Sequence, residues 1–179
     1  ARQINVGDPT DRSVFMGPVI NQSAYKDFKD YSEELSEAGE FLNGGKVLAE
    51  GTLGKGFFCE PTIVADVDSD HRLWKHEMFL PITMVQAYKD LDEAMQLANS
   101  TSYGLTAGFY GSEDEANWFF ENIEAGVTYA NRPQGSTTGA WPGFQPFGGW
   151  KGSGSSGKNA GGHYYLQLYM HEQVHTLIK

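Results

Sequence analysis

Apolar residues after Asn21 recur at every third or fourth position, which predicts an amphipathic helix. Its apolar stripe consists of Tyr25, Phe28, Tyr31 and Leu35. Gly39 follows this stripe and is expected to end the helix in a left-handed cap. Asn43-Gly44 then indicates a hairpin turn, because this pair favours the positive φ angles that tight turns require.

Strands and helices are predicted to alternate through the middle of the chain. Short apolar runs predict strands at residues 46–49, 57–67, 82–88, 104–110 and 126–130. Asp90 is predicted to cap a helix that runs to Ala98. Ser112 and Glu115 form a capping-box pattern for a second helix, which ends near Gly126. This alternation is typical of an α/β fold whose mostly parallel sheet is flanked by helices.

The last third of the chain predicts a shaped loop followed by a strand. Residues 131–162 are rich in glycine and also carry large rings, at Trp141, Phe144, Phe147 and Trp150. A flexible linker lacks such rings, so this mixture predicts a packed loop. Residues 164–179 then alternate between apolar and polar side chains, which predicts a long terminal strand.

Charge and composition exclude several classes of protein. The net charge of -10, from 13 basic and 23 acidic residues, excludes a nucleic-acid-binding surface, which needs clustered cations. The sequence contains no apolar run long enough to span a bilayer, which argues against a membrane protein. A single cysteine, Cys59, excludes an internal disulfide and favours a reducing compartment, so a cytoplasmic location is expected. The chain starts at Ala1 rather than at methionine, and we expect the gene product to begin upstream.

Three other motifs suggest chemistry that their surroundings do not favour. His171 and His175 fit a zinc motif that requires a helix, but on a strand they lie about 13 Å apart. Residues 152–159 resemble a phosphate-binding loop, but the position of the required hydroxyl holds Asn159. Cys59 lies in an apolar run with no histidine nearby, which is typical of a buried, inert thiol.

An acidic residue, Glu77, stands among apolar neighbours in the segment WKHEMFLP. A partly buried carboxylate requires hydrogen-bond donors, and the hydroxyls of a ribose are suitable ones. A structural salt bridge or a helix cap would also satisfy this group. The residues alone leave these alternatives open.

Two longer segments carry a resemblance to a known family. Residues 77–81 resemble the E-x-F-x-P motif of the aldehyde dehydrogenase superfamily, and residues 146–154 resemble its P-F-G-G-x-K-x-S-G motif. Further matches occur at residues 7–9, 17–20 and 102–105, so the similarity covers essentially the whole chain. Within that superfamily, residues 138–140 and 161–166 resemble the 1-pyrroline-5-carboxylate dehydrogenase family. The chain therefore resembles the C-terminal portion of such an enzyme.

The resemblance implies an architecture and a set of site residues. Residues 1–163 would be part of the catalytic domain, and residues 164–179 would be a strand that pairs with another subunit in a homo-oligomer. Glu77 would accept hydrogen bonds from the nicotinamide-side ribose of NAD, and Phe79 would pack near the nicotinamide. Gly139 and Ala140 would offer backbone amides to the substrate carboxylate. Phe147 would line the aliphatic part of the substrate.

The implied activity is oxidation of glutamate γ-semialdehyde to glutamate with NAD, in proline catabolism. The family's nucleophilic cysteine and its glutamate base lie upstream of the matched region, so the chain alone is expected to be inactive. The resemblance implies no catalytic residue and no metal site within this chain. Another NAD(P)-dependent aldehyde dehydrogenase and a non-catalytic, self-associating module remain alternatives. If the source is eukaryotic, the mitochondrial matrix is an alternative location.

Overall fold

The computed structural model describes residues 1–132, 145–154 and 160–179, and its α/β architecture agrees with the sequence-based prediction. The chain divides into two compact units, Ala1–Ala87 and Tyr88–Lys179. The first unit has one α-helix and one sheet, whereas the described part of the second has two α-helices and two small sheets. Among the described residues, no helix has both the length and the hydropathy that a membrane crossing requires.

The first helix, α1, spans Gln22–Ala38 and confirms the apolar stripe. The side chain of Asn21 accepts a hydrogen bond from the Ala24 amide at 2.9 Å and so caps the helix. Phe28 and Leu35 are fully buried, and each contributes about 1.5–3 kcal/mol of hydrophobic stabilisation.

The predicted left-handed cap at Gly39 is wrong. Gly39 has an extended backbone with φ of -159°. A Cβ at this position would lie 2.6 Å from the Val67 side chain, so glycine is required here for space and not for a positive φ.

The first unit contains a three-stranded sheet of β1 (Glu40–Asn43), β2 (Thr62–Ala65) and β3 (Ile82–Met84), in that order. β1 pairs antiparallel with β2, and β2 pairs parallel with β3. The sheet packs with α1 around a buried cluster of Phe28, Leu35, Cys59, Val64, Val67, Leu73 and Ile82.

The predicted hairpin turn at Asn43-Gly44 is also wrong. Asn43 still belongs to β1, opposite Ile63, and the chain turns over Gly44 and Gly45 at φ of +74° and +96°. A longer connection follows before the chain returns as β2. The two positive φ angles explain why glycine occupies both positions.

The described part of the second unit contains two α-helices and two pairs of strands. The helices are α2 (Leu91–Asn99) and α3 (Glu113–Asn122). The strands are β4 (Tyr103–Gly104), β5 (Thr106–Phe109), β6 (Val127–Ala130) and β7 (Trp150–Lys151). β5 and β6 are parallel and joined through α3, as predicted, whereas β4 and β7 are antiparallel.

The predicted caps of both helices in this unit are present. The Asp90 side chain accepts a hydrogen bond from the Glu93 amide at 2.9 Å. Ser112 and Glu115 form the complete capping box. α3 ends at Asn122, earlier than predicted, because Ile123 is extended and directs its side chain into the core.

The predicted terminal strand is wrong for Leu166–Tyr169, which form a 3-10 helix. A 3-10 turn satisfies backbone groups locally, whereas a strand requires a neighbouring strand. Residues 170–179 are exposed and are not paired with any strand of the described chain. The boundary after residue 163 and the pairing of residues 164–179 with another subunit stay predictions.

Candidate functional site

A groove of about 470 Å³ lies in the first unit between residues 16–19 and residues 77–82. It brings together Glu77 and Phe79, two of the residues that the sequence suggests for cofactor binding. Residues 77–81 form one side of the groove and lead directly into β3.

Glu77 is exposed, so the expectation of a partly buried carboxylate is wrong. The physical reason is the alternation of the segment. Met78 and Leu80 pack against the core cluster, so the alternate residues Glu77 and Phe79 are directed outward. Across the described residues the Glu77 carboxylate has no hydrogen bond and no ion pair, so it is available as an acceptor.

Phe79 combines an outward ring with an unusual backbone. Its side chain is 86% exposed, and its φ is +54°. The left-handed region costs a residue with a side chain about 1–2 kcal/mol. Strain of this kind persists where surrounding structure enforces it, and it is concentrated at ligand-binding positions.

The segment of residues 146–154 is held to the rest of the second unit by close contacts between backbones. A Cβ on Gly126 would overlap the Gly148 carbonyl oxygen, and a Cβ on Gly149 would lie 2.7 Å from the Gly104 carbonyl oxygen. The Ser153 hydroxyl accepts a hydrogen bond from the Gly104 amide at 3.1 Å. These glycines therefore permit two stretches of backbone to lie against each other.

Lys151 anchors the same segment, a role that the sequence reasoning missed. Its Nζ donates to the Asn99 carbonyl oxygen at 2.6 Å and lies 2.6 Å from Oε2 of Glu124. The cation thus satisfies a carbonyl group at the C-terminus of α2, where positive charge is favourable. One signal could have identified it, since Lys151 is the single charged residue in positions 133–157.

Phe147, the predicted contact to the aliphatic part of the substrate, lies in the second unit and is half-buried. Its amide donates to the Ala160 carbonyl oxygen at 2.7 Å, which fixes the backbone at this position. The other predicted substrate contacts, Gly139 and Ala140, lie outside the described residues.

The zinc-like, phosphate-loop and cysteine motifs of the sequence lie in the following surroundings. Cys59 is 1% exposed, which confirms the predicted burial, and this burial raises the pKa of its thiol to about 11. His171 and His175 lie in a stretch, residues 170–179, that forms no helix. Most of the loop at residues 152–159 lies outside the described part of the chain.

Comparison with known proteins identifies relatives along nearly the whole chain. The profile of the aldehyde dehydrogenase family matches residues 1–174. A 1-pyrroline-5-carboxylate dehydrogenase of Geobacillus sp. (strain WCH70) is 45% identical over 171 residues, which cover 94% of this chain and 32% of the relative. The chain thus spans about a third of the length of the curated relatives that it matches.

Solved structures of aldehyde dehydrogenases match this chain over a similar range. A Thermus 1-pyrroline-5-carboxylate dehydrogenase with bound NAD matches at a TM-score of 0.82 and 36% identity, over 94% of this chain and 31% of that one. A Staphylococcus aureus betaine aldehyde dehydrogenase in complex with NAD+ matches at a TM-score of 0.81 and 28% identity, over 94% of this chain and 32% of that one.

Proposed function

The chain belongs to the aldehyde dehydrogenase family, and on this basis we propose that it forms part of an NAD-dependent dehydrogenase. The proposed reaction is oxidation of glutamate γ-semialdehyde (1-pyrroline-5-carboxylate) to glutamate. Similarity to 1-pyrroline-5-carboxylate dehydrogenases, at up to 45% identity among the relatives compared, supports this choice of substrate. In the proposal, this chain contributes one wall of the cofactor site and one wall of the substrate site.

The observation that carries the proposal is the pairing of Glu77 and Phe79 on one groove. The residues fit NAD, because an exposed carboxylate with no partner among the described residues can accept bonds from two ribose hydroxyls. The outward ring of Phe79 offers an apolar face to a planar ring. When bound, NAD supplies the acceptor for the hydride that leaves the aldehyde carbon. The role of these side chains is to orient it.

The proposed substrate contacts lie in the second unit. Gly139 and Ala140 would hold the substrate carboxylate through two successive backbone amides, which bind an anion without a charged side chain. Phe147 would cover the aliphatic carbons. The backbone at Phe147 is held by the hydrogen bond of its amide to the Ala160 carbonyl oxygen and by the Lys151 side chain, which anchors the segment four residues further on.

Glu77→Gln in the intact protein tests the proposed cofactor site. We expect the KM for NAD to rise about tenfold or more, because a hydrogen bond to a charged acceptor contributes about 1.5–3 kcal/mol. The KM for the aldehyde should change much less, since Glu77 lies on the cofactor groove. Steady-state kinetics with each substrate varied in turn measures both values.

Glu50→Gln is the matched control, because Glu50 is an exposed carboxylate of the same unit that does not line the groove. It should leave the kinetics unchanged. Unchanged NAD kinetics in Glu77→Gln would remove the assigned role.

A separate experiment tests the substrate. The catalytic efficiency of the wild-type protein is measured with glutamate γ-semialdehyde and with butanal, and equal efficiency with both would contradict the proposed anionic substrate.

The proposal includes self-association through residues 164–179. Several apolar side chains of this segment are more than two-thirds exposed: Leu166, Tyr169, Met170, Val174, Leu177 and Ile178. Such a surface favours burial against a partner, and an extended segment can pair with the edge of a second sheet. A second copy of the chain is the proposed partner.

Deleting residues 169–179 from the intact protein is therefore expected to lower its oligomeric mass. Size-exclusion chromatography with light scattering measures that mass directly. A change of Val174 to aspartate, which puts a charge on the apolar side, should shift the mass in the same direction. If both variants keep the wild-type mass, the segment has no role in assembly.

A further inference from the structure

Residues 72–76, the segment that leads into Glu77, are held by contacts with one face of α1. Arg72 binds the carboxylate of Glu34 with two nitrogens, and its Nε lies 2.8 Å from Oε1. The same guanidinium lies over the ring of Tyr31, 5.5 Å from its centroid. This paired contact fixes the start of the segment.

The end of the segment is held by a second contact with the same helix face. The Tyr31 hydroxyl lies 3.0 Å from Nε2 of His76, and the two rings meet edge to face at 5.7 Å. Tyr31 and Glu34 are three residues apart in α1, so they lie on the same side of the helix. His76 directly precedes Glu77.

The position of Glu77 depends on its backbone, because its carboxylate makes no contact of its own among the described residues. Phe79 requires a surrounding structure that keeps it at positive φ. Packing of Met78 and Leu80 holds these residues from the core side. The bond at His76 is the last contact that fixes the chain before Glu77.

We propose that Tyr31 is a positioning residue for Glu77 and Phe79, acting through the hydrogen bond to His76. This inference rests on the proposed function for its consequence, which is weaker NAD binding when the bond is lost. It assigns a role in cofactor affinity to a residue of α1 that does not line the groove.

A purely structural role predicts a different outcome. His76 is exposed, so its bond to Tyr31 adds little to the stability of the whole unit but orders the segment locally. A structural role would lower the melting temperature and affect all substrates equally. A positioning role changes the NAD dissociation constant and leaves the aldehyde KM in place.

Tyr31→Phe in the intact protein removes the hydroxyl and keeps the ring. We expect the NAD dissociation constant, measured by titration calorimetry, to rise about three- to tenfold, the range of one lost hydrogen bond. The aldehyde KM should stay within about twofold, which is below that range. Tyr25→Phe is the control, because the Tyr25 hydroxyl makes no hydrogen bond with described residues. It should bind NAD as tightly as the wild type.

His76→Leu and the double variant with Tyr31→Phe test whether the two residues act together. The double variant should bind NAD no more weakly than His76→Leu alone, because the same bond is absent in both. If the two losses multiply, Tyr31 does not act through His76 and the inference is wrong.

Hydrogen exchange of residues 74–82 gives a measurement that does not depend on NAD. Faster exchange there in Tyr31→Phe, but not in Tyr25→Phe, supports the positioning role. Unchanged exchange, or an unchanged NAD dissociation constant beside a wild type that binds NAD, overturns it. A wild type that fails to bind NAD instead overturns the proposed function, and the exchange result still decides whether Tyr31 positions the segment.

Discussion

Gly126→Ala is expected to lower the free energy of unfolding by about 3 kcal/mol, at the upper end of what overpacking costs. The added Cβ would overlap the carbonyl oxygen of Gly148 and lie 2.7 Å from the Cα of Gly149. Both are backbone atoms, so no side chain can rotate away to make room. The Gly126 amide also donates to the Gly104 carbonyl oxygen at 3.0 Å, which limits any shift of the strand.

Urea unfolding followed by tryptophan fluorescence measures this change. Gly51→Ala is the control, because Gly51 has a φ of +58° and a methyl group added there would meet no described atom within 4 Å beyond its chain neighbours. Its cost should be limited to the backbone strain, about 1 kcal/mol. If Gly126→Ala costs no more than Gly51→Ala, the close contact between the two backbone stretches is not present in solution.

The consequence extends to the proposed substrate wall. Gly148 and Gly149 immediately follow Phe147, so a displacement at Gly126 would move the backbone that carries this ring. We therefore expect Gly126→Ala to raise the aldehyde KM as well as to reduce stability.

Features that depend on neighbours in sequence could be predicted from the sequence. The stripe of α1 was predictable because helical periodicity places Phe28 and Leu35 on one face. The caps at Asp90 and Ser112 were predictable because a side chain binds an amide two or three residues away. Both kinds of signal are local.

Features that depend on tertiary packing could not be predicted. The sequence around Gly39 does not reveal whether glycine is needed for a positive φ or for the space that Val67 leaves. Nor does the alternation in residues 164–179 reveal that four of them, Leu166–Tyr169, form a 3-10 helix. At Gly39 a residue distant in sequence decides the conformation, and for residues 166–169 the described part of the chain supplies no strand to pair with.

The candidate site shows the same division. The motifs at residues 77–81 and 146–154 suggested Glu77, Phe79 and Phe147 through a family resemblance. The exposure of Glu77 was missed. Met78 and Leu80, on either side of the outward ring of Phe79, are the residues that pack against the core, and the sequence does not show which neighbours of Glu77 face inward. The strain at Phe79 was also missed, since no local pattern predicts a phenylalanine at positive φ.

Phe79→Gly is expected to make the protein more stable and a weaker binder of NAD. Glycine adopts a φ of +54° without strain, which should add about 1 kcal/mol to the free energy of unfolding. Little burial is lost, because the ring is 86% exposed. NAD affinity should fall about tenfold or more, since stacking on an aromatic ring contributes about 1–3 kcal/mol. Urea unfolding and calorimetric titration with NAD measure the two effects.

Asp66→Gly separates the two effects, because Asp66 is an exposed residue of the same unit with a φ of +57° and lies outside the groove. Its gain in stability should be smaller, since aspartate tolerates the left-handed region better than phenylalanine does. Its NAD affinity should not change. A Phe79→Gly variant that binds NAD normally would remove the ring from the cofactor site. One that is less stable would instead mean that contacts of the ring stabilise the fold by more than its backbone strain costs.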